Sequence, residues 1–433
     1  MKMLQRWLPV CCALFVMSAC TDEAPTEVGD DLLPSGGVRT FEVVLDPAQF
    51  ITYDTTFTGY TRPINAAFIP LAHQFQGVLD ANALFRFAQP PALISVRNAA
   101  GNTVTDSTPS YFAGRLVLRV DTLASESAPP VLVRGFQTGE AWDVSATWTL
   151  RVDTGNVELP WAAPGGTRGA EIDTATWAAG DTIVLDVDST TVARWIDTAN
   201  VARGALIVTE TNGARLRLTS AVLRLSAHSD LAPDTVVNLD VPASLSSFVF
   251  NPQPPAGSEL RVGGVPSWRT ILGIRDDLAD LVFPCPGVSN CQIALASAHI
   301  NRAELLLQPV AAPAGFIQED TTLIQVRTLA VTPGVPLQRS PLGVDVCSGS
   351  ARCLIHGRVI PDYFAAGSTP PVVAFDITSY IFALVNEEVT DENRPPFALA
   401  LLDASEPSTF GFSTFAQGAR LRLVLTAAVE STQ

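Results

Sequence analysis

Short segments in which apolar and polar side chains alternate, the polar ones mostly arginine, recur along this 433-residue chain. A period of two places the apolar side chains on one face of an extended segment, as in a strand with one buried side. The segments are Arg115–Val120, Thr182–Val187, Arg215–Leu218, Val222–Leu225 and Arg420–Leu425. The chain also contains 32 prolines and hardly any continuous helical pattern. Many short strands separated by turns predict an all-β fold of the sandwich or barrel type.

An internal repeat with a spacing of about 190 residues divides the chain into two similar halves. The matching segments follow the same order in both halves: Val44–Asp46 with Asn238–Asp240, Ala83–Phe87 with Thr270–Ile274, Gly114–Leu118 with Ala303–Leu307, and Ala221–Leu225 with Ala419–Leu423. A chain of this length also exceeds one ordinary hydrophobic core. We therefore predict two tandem jelly-roll-like β-sandwich domains, at 41–230 and 235–433. One large continuous sandwich is the alternative.

Residues 1–19 have the layout of a secretory signal peptide. Lys2 and Arg6 give a positive start, and the apolar stretch Trp7–Val16 follows them. That stretch has about ten residues, whereas a membrane-spanning helix needs about 20, so a signal peptide fits better than a permanent span. Residues 20–40 are acidic and rich in proline and glycine, which is typical of a tether.

The boundary Ser18-Ala19-Cys20 resembles the bacterial lipobox. The resemblance implies that the Cys20 thiol receives a diacylglycerol, that cleavage precedes this cysteine, and that acyl chains then anchor the chain to a membrane. An ordinary secreted protein with a stray cysteine is the alternative. In both cases we expect the protein to fold outside the cytoplasm.

Charge and missing motifs exclude several classes of function. The formal net charge is −16, which argues against nucleic acid as a partner because a basic patch is its expected binding surface. Lys2 is the only lysine, so the mature chain has no Schiff-base lysine and no phosphate-binding P-loop lysine. His-Glu-x-x-His and Gly-x-Ser-x-Gly motifs are absent from the sequence. We predict that the protein is not an enzyme.

Four cysteines other than Cys20 remain after cleavage, and an even number in an exported protein suggests disulfides. Cys285 and Cys291 flank five turn-forming residues, and Cys347 and Cys353 do the same. Of the three possible connectivities we therefore favour Cys285 with Cys291 and Cys347 with Cys353. A zinc site with four thiolates is the alternative, although its paired ligands usually lie closer in sequence.

Five of the seven tryptophans lie between residues 142 and 195. Exposed aromatic faces can stack on sugar rings, whereas large aromatic side chains in a sandwich often fill its core. Polar or Pro-Gly residues flank Trp142 and Trp161, so we predict that these two present a ring face to solvent and bind a ligand. We place Trp195 in the core, and Trp268 is ambiguous.

One acidic cluster, formed by Asp276, Asp277 and Asp280, could hold a structural calcium ion. Its spacing does not fit an EF-hand loop, and a solvated turn or short helix accounts for it better. We predict no cofactor and no metal site.

The later part of each repeat resembles the β-sandwich modules known by the motif DNRLRE, some of which are grouped with carbohydrate-binding modules. The matching residues of the first repeat are Trp142, Trp148, Trp161, Pro164–Gly166, Asp186–Val187, Trp195 and Gly204–Leu206. The second repeat keeps Phe375–Tyr380 but lacks the tryptophan cluster. The resemblance implies a β-sandwich in which the strand that contains Asp186 is followed by a short helix.

The mature N-terminus is similar to a group of uncharacterised Bacteroidetes-type lipoproteins, the DUF4270 group. The matching segments are Cys20–Glu23 and Val28–Pro34. This similarity implies an outer-membrane or cell-surface location and no known activity.

The leading hypothesis is a non-catalytic cell-envelope lipoprotein that binds an extracellular or envelope glycan. The alternative is a structural or assembly lipoprotein of the outer membrane that binds a protein partner, and a glycan-processing enzyme comes third. The glycan hypothesis depends on an accessible ring at Trp142 or Trp161.

Overall fold

The computed structural model describes residues 37–59, 66–127, 130–253, 257–286, 291–347, 357–386, 389–390, 393–404 and 409–428. The prediction of an all-β sandwich fold is confirmed, because the chain forms several antiparallel sheets with few helical turns. The strands and helices of its first half are β1 (Val38–Leu45), α1 (Pro47–Phe50), β2 (Ile51–Phe57), β3 (Ile69–Phe75), β4 (Leu79–Phe87), β5 (Ile94–Arg97), β6 (Thr103–Asp106), β7 (Ser110–Val120), β8 (Val131–Thr138), β9 (Leu150–Asp153), β10 (Glu158–Pro160), β11 (Arg168–Trp177), β12 (Thr182–Val187), α2 (Ser189–Ile196), β13 (Ala205–Thr209) and β14 (Ala214–Ser229).

The second half follows the same order of secondary structure. Its elements are β15 (Ala232–Phe250), β16 (Glu259–Val262), β17 (Arg269–Ile274), β18 (Val282–Pro284), β19 (Gln292–Ala294), β20 (His299–Leu307), β21 (Thr322–Leu329), β22 (Leu342–Asp345), β23 (Arg358–Val359), β24 (Val373–Asp376), α3 (Thr378–Val385), β25 (Ala398–Asp403), β26 (Ser413–Ala416) and β27 (Arg420–Ala428). Short 3-10 helices lie at Leu278–Asp280, Leu295–Ser297, Leu337–Arg339 and Pro361–Phe364.

Two sandwiches result, each with one layer of four strands and one of five. In the first sandwich the layers have the orders β12-β7-β14-β15 and β11-β8-β13-β4-β15. Strand β15 belongs to both layers, since its first half pairs with β14 and its second half with β4. In the second sandwich the orders are β24-β20-β27-β1 and β22-β21-β25-β17-β2. Apolar side chains of the two layers meet in one core per sandwich.

The register of the strands shows that the sandwiches are equivalent. In the first, Leu116 of β7 pairs with Leu185 on one side and Leu223 on the other. In the second, Leu305 of β20 pairs with Phe375 and Leu421 in the same way. The internal repeat therefore corresponds to one complete set of paired strands.

The repeats exchange their first strands. Strands β1 and β2, which begin the first repeat, pair with β27 and β17 of the second sandwich. Strand β15, which begins the second repeat, pairs with β14 and β4 of the first. By strand register, Leu45 opposite Leu421 is equivalent to Val241 opposite Leu223, two residues beyond Leu239, with which the sequence repeat matches Leu45.

The predicted domain boundaries consequently differ from the bodies that the strands form. The first sandwich comprises residues 66–253, and the second comprises 37–59 together with 257–428, instead of 41–230 and 235–433. The tight turn between β14 and β15 explains the difference, since the Ser229 hydroxyl accepts from the amide of Leu231 and the chain folds back directly onto β14. Sequence similarity reveals equivalent strands but not which copy a strand joins.

Aromatic and ionic contacts join the two sandwiches. Phe75 contacts Phe316 edge-on, with ring centroids 5.4 Å apart. The Arg215 guanidinium lies 5.2 Å from the Phe75 ring centroid and donates to the carbonyl of Gly315 at 3.2 Å. Arg217 pairs with Glu319 at 2.9 Å. Because apolar residues of the second sandwich also belong to the core of the first, we expect the two bodies to move as one.

Candidate functional site

Trp142 and Trp161, predicted to be exposed, are both buried, with exposed fractions of 3% and 6%. They pack with Leu84, Leu206 and Val249 against the outer face of the five-stranded layer of the first sandwich. The Trp161 indole also donates to the carbonyl of Thr147 at 2.9 Å, so its polar edge is satisfied inside the protein. The prediction that these two side chains form a ligand surface is wrong.

The Pro-Gly-Gly turn explains why the flanking residues were misleading. Gly165 and Gly166 both have positive φ, 85° and 102°, which glycine adopts without strain. A Cβ on Gly165 would lie 2.9 Å from the Trp148 ring, and one on Gly166 would lie 3.1 Å from Leu206. The glycines therefore bring the turn close to the sheet, whereas a Pro-Gly sequence usually indicates a solvated loop. The segment from 139 to 167 forms a small second core over the sheet.

The other described tryptophans are buried, with one exception. Trp195 packs in the core as predicted, 5.5 Å from Phe87 between ring centroids. Trp177 and Trp268 are buried too. Trp148 is partly exposed.

The structure joins Cys285 to Cys291, as predicted, with their Cα atoms 5.3 Å apart. This bridge makes a zinc site at those two thiols impossible. Cys347 is disulfide-bonded as well. Cys20 and Cys353, the remaining predicted lipidation and disulfide residues, lie outside the described residues.

No group of three or more histidine, cysteine, aspartate or glutamate side chains able to hold a metal ion occurs among the described residues. In the acidic cluster considered for calcium, Asp277 pairs with Arg275 through two hydrogen bonds. The hydrogen bonds from Arg275, together with the positive charge of the same guanidinium, hold the pKa of the Asp277 carboxyl below its usual value. A short 3-10 helix follows at Leu278–Asp280.

A cleft with a volume of about 440 Å³ lies where the two sandwiches meet. Small-ligand sites usually range from roughly 300 to 1,000 Å³. Turns and loops of both sandwiches form its walls: Gln76, Val78 and Gln253 from the first, and Gly257, Arg261, Pro266, Trp268, Pro313, Ala314, Phe316 and Phe412 from the second. We refer to this site as the cleft.

Strained backbone occurs at the rim of the cleft. Four non-glycine residues in the described part of the chain have positive φ. One is Gln76, with φ of 53°, and another is Ser267, with φ of 49°, which lies between the lining residues Pro266 and Trp268. Such conformations cost about 1–3 kcal/mol and concentrate at functional sites. The surrounding packing therefore maintains the shape of the cleft at an energetic cost.

The polar groups of the cleft are a guanidinium and two amides. The Arg261 guanidinium lies 5.2 Å from the ring centroids of Trp268 and Phe412, and its Nη2 lies 3.1 Å from the Glu259 carboxylate. The Gln253 amide donates to the carbonyl of Val78 at 2.9 Å, which fixes its orientation. The Gln76 side chain is exposed at the rim. The guanidinium can only donate hydrogen bonds, whereas the two amides can both donate and accept them.

The side chains that line the cleft are aromatic, aliphatic, amide and guanidinium groups. Among the described residues that line the cleft, none is a histidine, cysteine, aspartate, glutamate or serine. General acid-base catalysis and covalent catalysis need such groups within reach of the reacting atoms.

The cleft is not predictable from local sequence patterns. Its walls come from segments far apart in the chain, which periodicity and motif spacing cannot bring together. The one local signal was the glycine pair Gly263–Gly264 shortly before Trp268. A Cβ on Gly264 would lie 2.9 Å from the carbonyl oxygen of Gly411, so the turn that carries Pro266 and Trp268 needs glycine there.

In the described part of the chain, no helix is both long enough and apolar enough to cross a bilayer.

No protein-family model matches the sequence, and no curated protein matches it either. Among solved structures, a Faustovirus major capsid protein aligns with 8% identity and a TM-score of 0.10, over 98% of this chain and 97% of that chain. A protein described as BspA_C_mut aligns with 7% identity and a TM-score of 0.10, over 91% and 84%. Similarities of this size carry no information about fold or activity.

Proposed function

We propose that this chain is a non-catalytic lipoprotein of the cell envelope that binds a glycan in the cleft between its two sandwiches. The observation that carries the proposal is the cleft itself, which has the volume of a ligand site and walls held by both sandwiches. The signal-peptide layout and Cys20 support an outer-membrane or cell-surface location with a lipid anchor. Burial of Trp142 and Trp161 removes the sequence evidence for a glycan, so the glycan proposal depends on the cleft alone.

The chemistry of the cleft favours a neutral ligand rich in hydroxyl groups. The charge of Arg261 is balanced by Glu259, and the formal net charge of −16 repels anions. Amide and guanidinium groups meet the hydroxyls of a sugar as donors and acceptors. The apolar remainder of the wall, including Pro266 and Phe316, suits the less polar faces of a sugar ring.

Binding of the mature chain, residues 20–433, to a glycan array tests the proposal. Arg261→Ala should weaken retention of the bound glycan by about tenfold or more, as expected for a polar anchor in a binding site. The matched control is Arg224→Ala, which removes an exposed arginine paired with Asp240 on the first sandwich. Thermal unfolding of both variants checks that they fold.

Equal glycan retention by the Arg261→Ala variant and the wild type would contradict binding in the cleft. If the array retained nothing while envelope fractions yielded one stoichiometric protein partner, the assembly role would replace the glycan proposal.

A further inference from the structure

A smaller cavity of about 120 Å³ lies beside Trp148 of the first sandwich, and Thr58 and Gly59 of the second sandwich also line it. Three threonines, Thr58, Thr147 and Thr149, line it together with apolar groups that include Phe250 and Pro252. We call it the Trp148 groove. It combines an aromatic ring with hydroxyl groups, which is the kind of surface that contacts both the ring and the hydroxyls of a sugar.

Trp148 differs from the other five described tryptophans because it is partly exposed. Its position is also fixed. Its carbonyl accepts from the amide of Gly165 at 2.7 Å, and the neighbouring carbonyls of Thr147 and Thr149 both accept from Trp161. The backbone that carries the ring is therefore held in place before any ligand arrives, which reduces the entropy lost on binding.

The groove adjoins the cleft. Pro252 lines the groove, and the next residue, Gln253, lines the cleft. Gly59 of the groove also donates its amide hydrogen to the carbonyl of Pro266 in the wall of the cleft, at 3.1 Å. The two sites are therefore lined by consecutive residues, Pro252 and Gln253, and joined by a backbone hydrogen bond.

We propose that the Trp148 groove is a second sugar subsite, so that the ligand is a glycan chain of several residues that extends from the cleft onto Trp148. This inference rests on the proposed function of the cleft and adds the length and path of the ligand. Because both subsites lie on one rigid body, occupation of the second by a linked sugar adds to affinity without a new ordering cost for the protein.

The test uses the full mature chain and an array that carries each neutral glycan in a two-residue and a six-residue form. For a glycan bound in the cleft, the wild type should retain the six-residue form about tenfold more strongly. Trp148→Ala should abolish this gain and leave retention of the two-residue form unchanged, while Trp148→Phe should keep most of it. Phe112→Ala, at a partly exposed aromatic on β7, is the matched control.

The outcomes separate the two proposals. If Trp148→Ala retained the six-residue form as well as the wild type while Arg261→Ala lost both forms, the second subsite would be wrong and the cleft would stand. If the wild type retained no glycan of either length, the proposed function would fail, and the subsite with it.

Discussion

Strand β1 should stabilise the second sandwich and not the first, although it begins the first repeat. Leu45 and Val241 test this as an equivalent pair. Leu45 is 1% exposed, lies in the core of the second sandwich and pairs with Leu421. Val241 is 2% exposed, lies in the core of the first and pairs with Leu223.

Leu45→Ala removes three buried carbon atoms. At about 0.8 kcal/mol for each, the lost transfer free energy is about 2.4 kcal/mol, and the cavity left behind raises the expected loss of unfolding free energy to about 2–5 kcal/mol. A loss of 2.4 kcal/mol increases the population of the opened state roughly fiftyfold. Val241→Ala removes two carbons, so its transfer term is about 1.6 kcal/mol.

Hydrogen exchange read by mass spectrometry locates each effect, because backbone amides report the opening of their own cooperative unit. Leu45→Ala should reduce protection in β20 and β27, and Val241→Ala should reduce it in β7 and β14. The strand exchange would be refuted if Leu45→Ala reduced protection in β7 and β14 while leaving β20 and β27 unchanged.

Three further predictions concern the first sandwich and the anchor. Trp195→Ala should lower the free energy of unfolding by about 3–5 kcal/mol, measured by denaturant titration, and a loss below about 1 kcal/mol would contradict its place in the core. Hydrogen bonds from the Thr167 hydroxyl and the Ala162 amide hold the pKa of Glu140 below its usual value. The ionised Glu140 carboxylate therefore stabilises the fold above its unfolded-state pKa, and this stabilisation is lost as the pH falls through its folded-state pKa. Acidification below about pH 4 should therefore loosen the segment from 139 to 167, seen as greater quenching of tryptophan fluorescence, and Glu140→Gln should remove that pH dependence. Cys20→Ser should leave an uncleaved precursor without lipid label, and normal processing in metabolic labelling would exclude the anchor.

Local side-chain patterns predicted the strands well. A strand with one buried face needs alternating apolar and polar side chains, whichever strands it pairs with. Thr182–Val187 coincides with β12, and Arg420–Leu425 lies within β27. Arg215–Leu218 and Val222–Leu225 proved to be one strand, β14, since no turn residue separates them.

Properties that depend on distant partners could not be predicted in this way. The sequence around Trp161 does not show that Leu206 lies beneath it, and no local signal places Gln76 opposite Phe316. Both arrangements depend on how layers and sandwiches pack after the strands have formed. The exchange of β1 and β15 between the sandwiches could not be predicted for the same reason. The side-chain patterns of the two strands are compatible with the edge of either sandwich.

For a chain that is exported and lipid-anchored, as proposed above, the position of β1 has a consequence for the order of folding events. A chain that crosses a membrane from its N-terminus delivers β1 and β2 first, but their partners β27 and β17 arrive last or late. The strands of the first sandwich all end by Phe250 and can pair earlier, while β1 and β2 wait with unpaired backbone groups. Trp268, Phe316 and Phe412 complete the core of the first sandwich only later. Contacts of such sequence separation form slowly. The charged Arg39 and Glu42 are suited to this interval, since charges on an unpaired strand discourage aggregation. Arrival of β27 then completes the second sandwich at the anchored end of the molecule, where Val38 lies opposite Ala428.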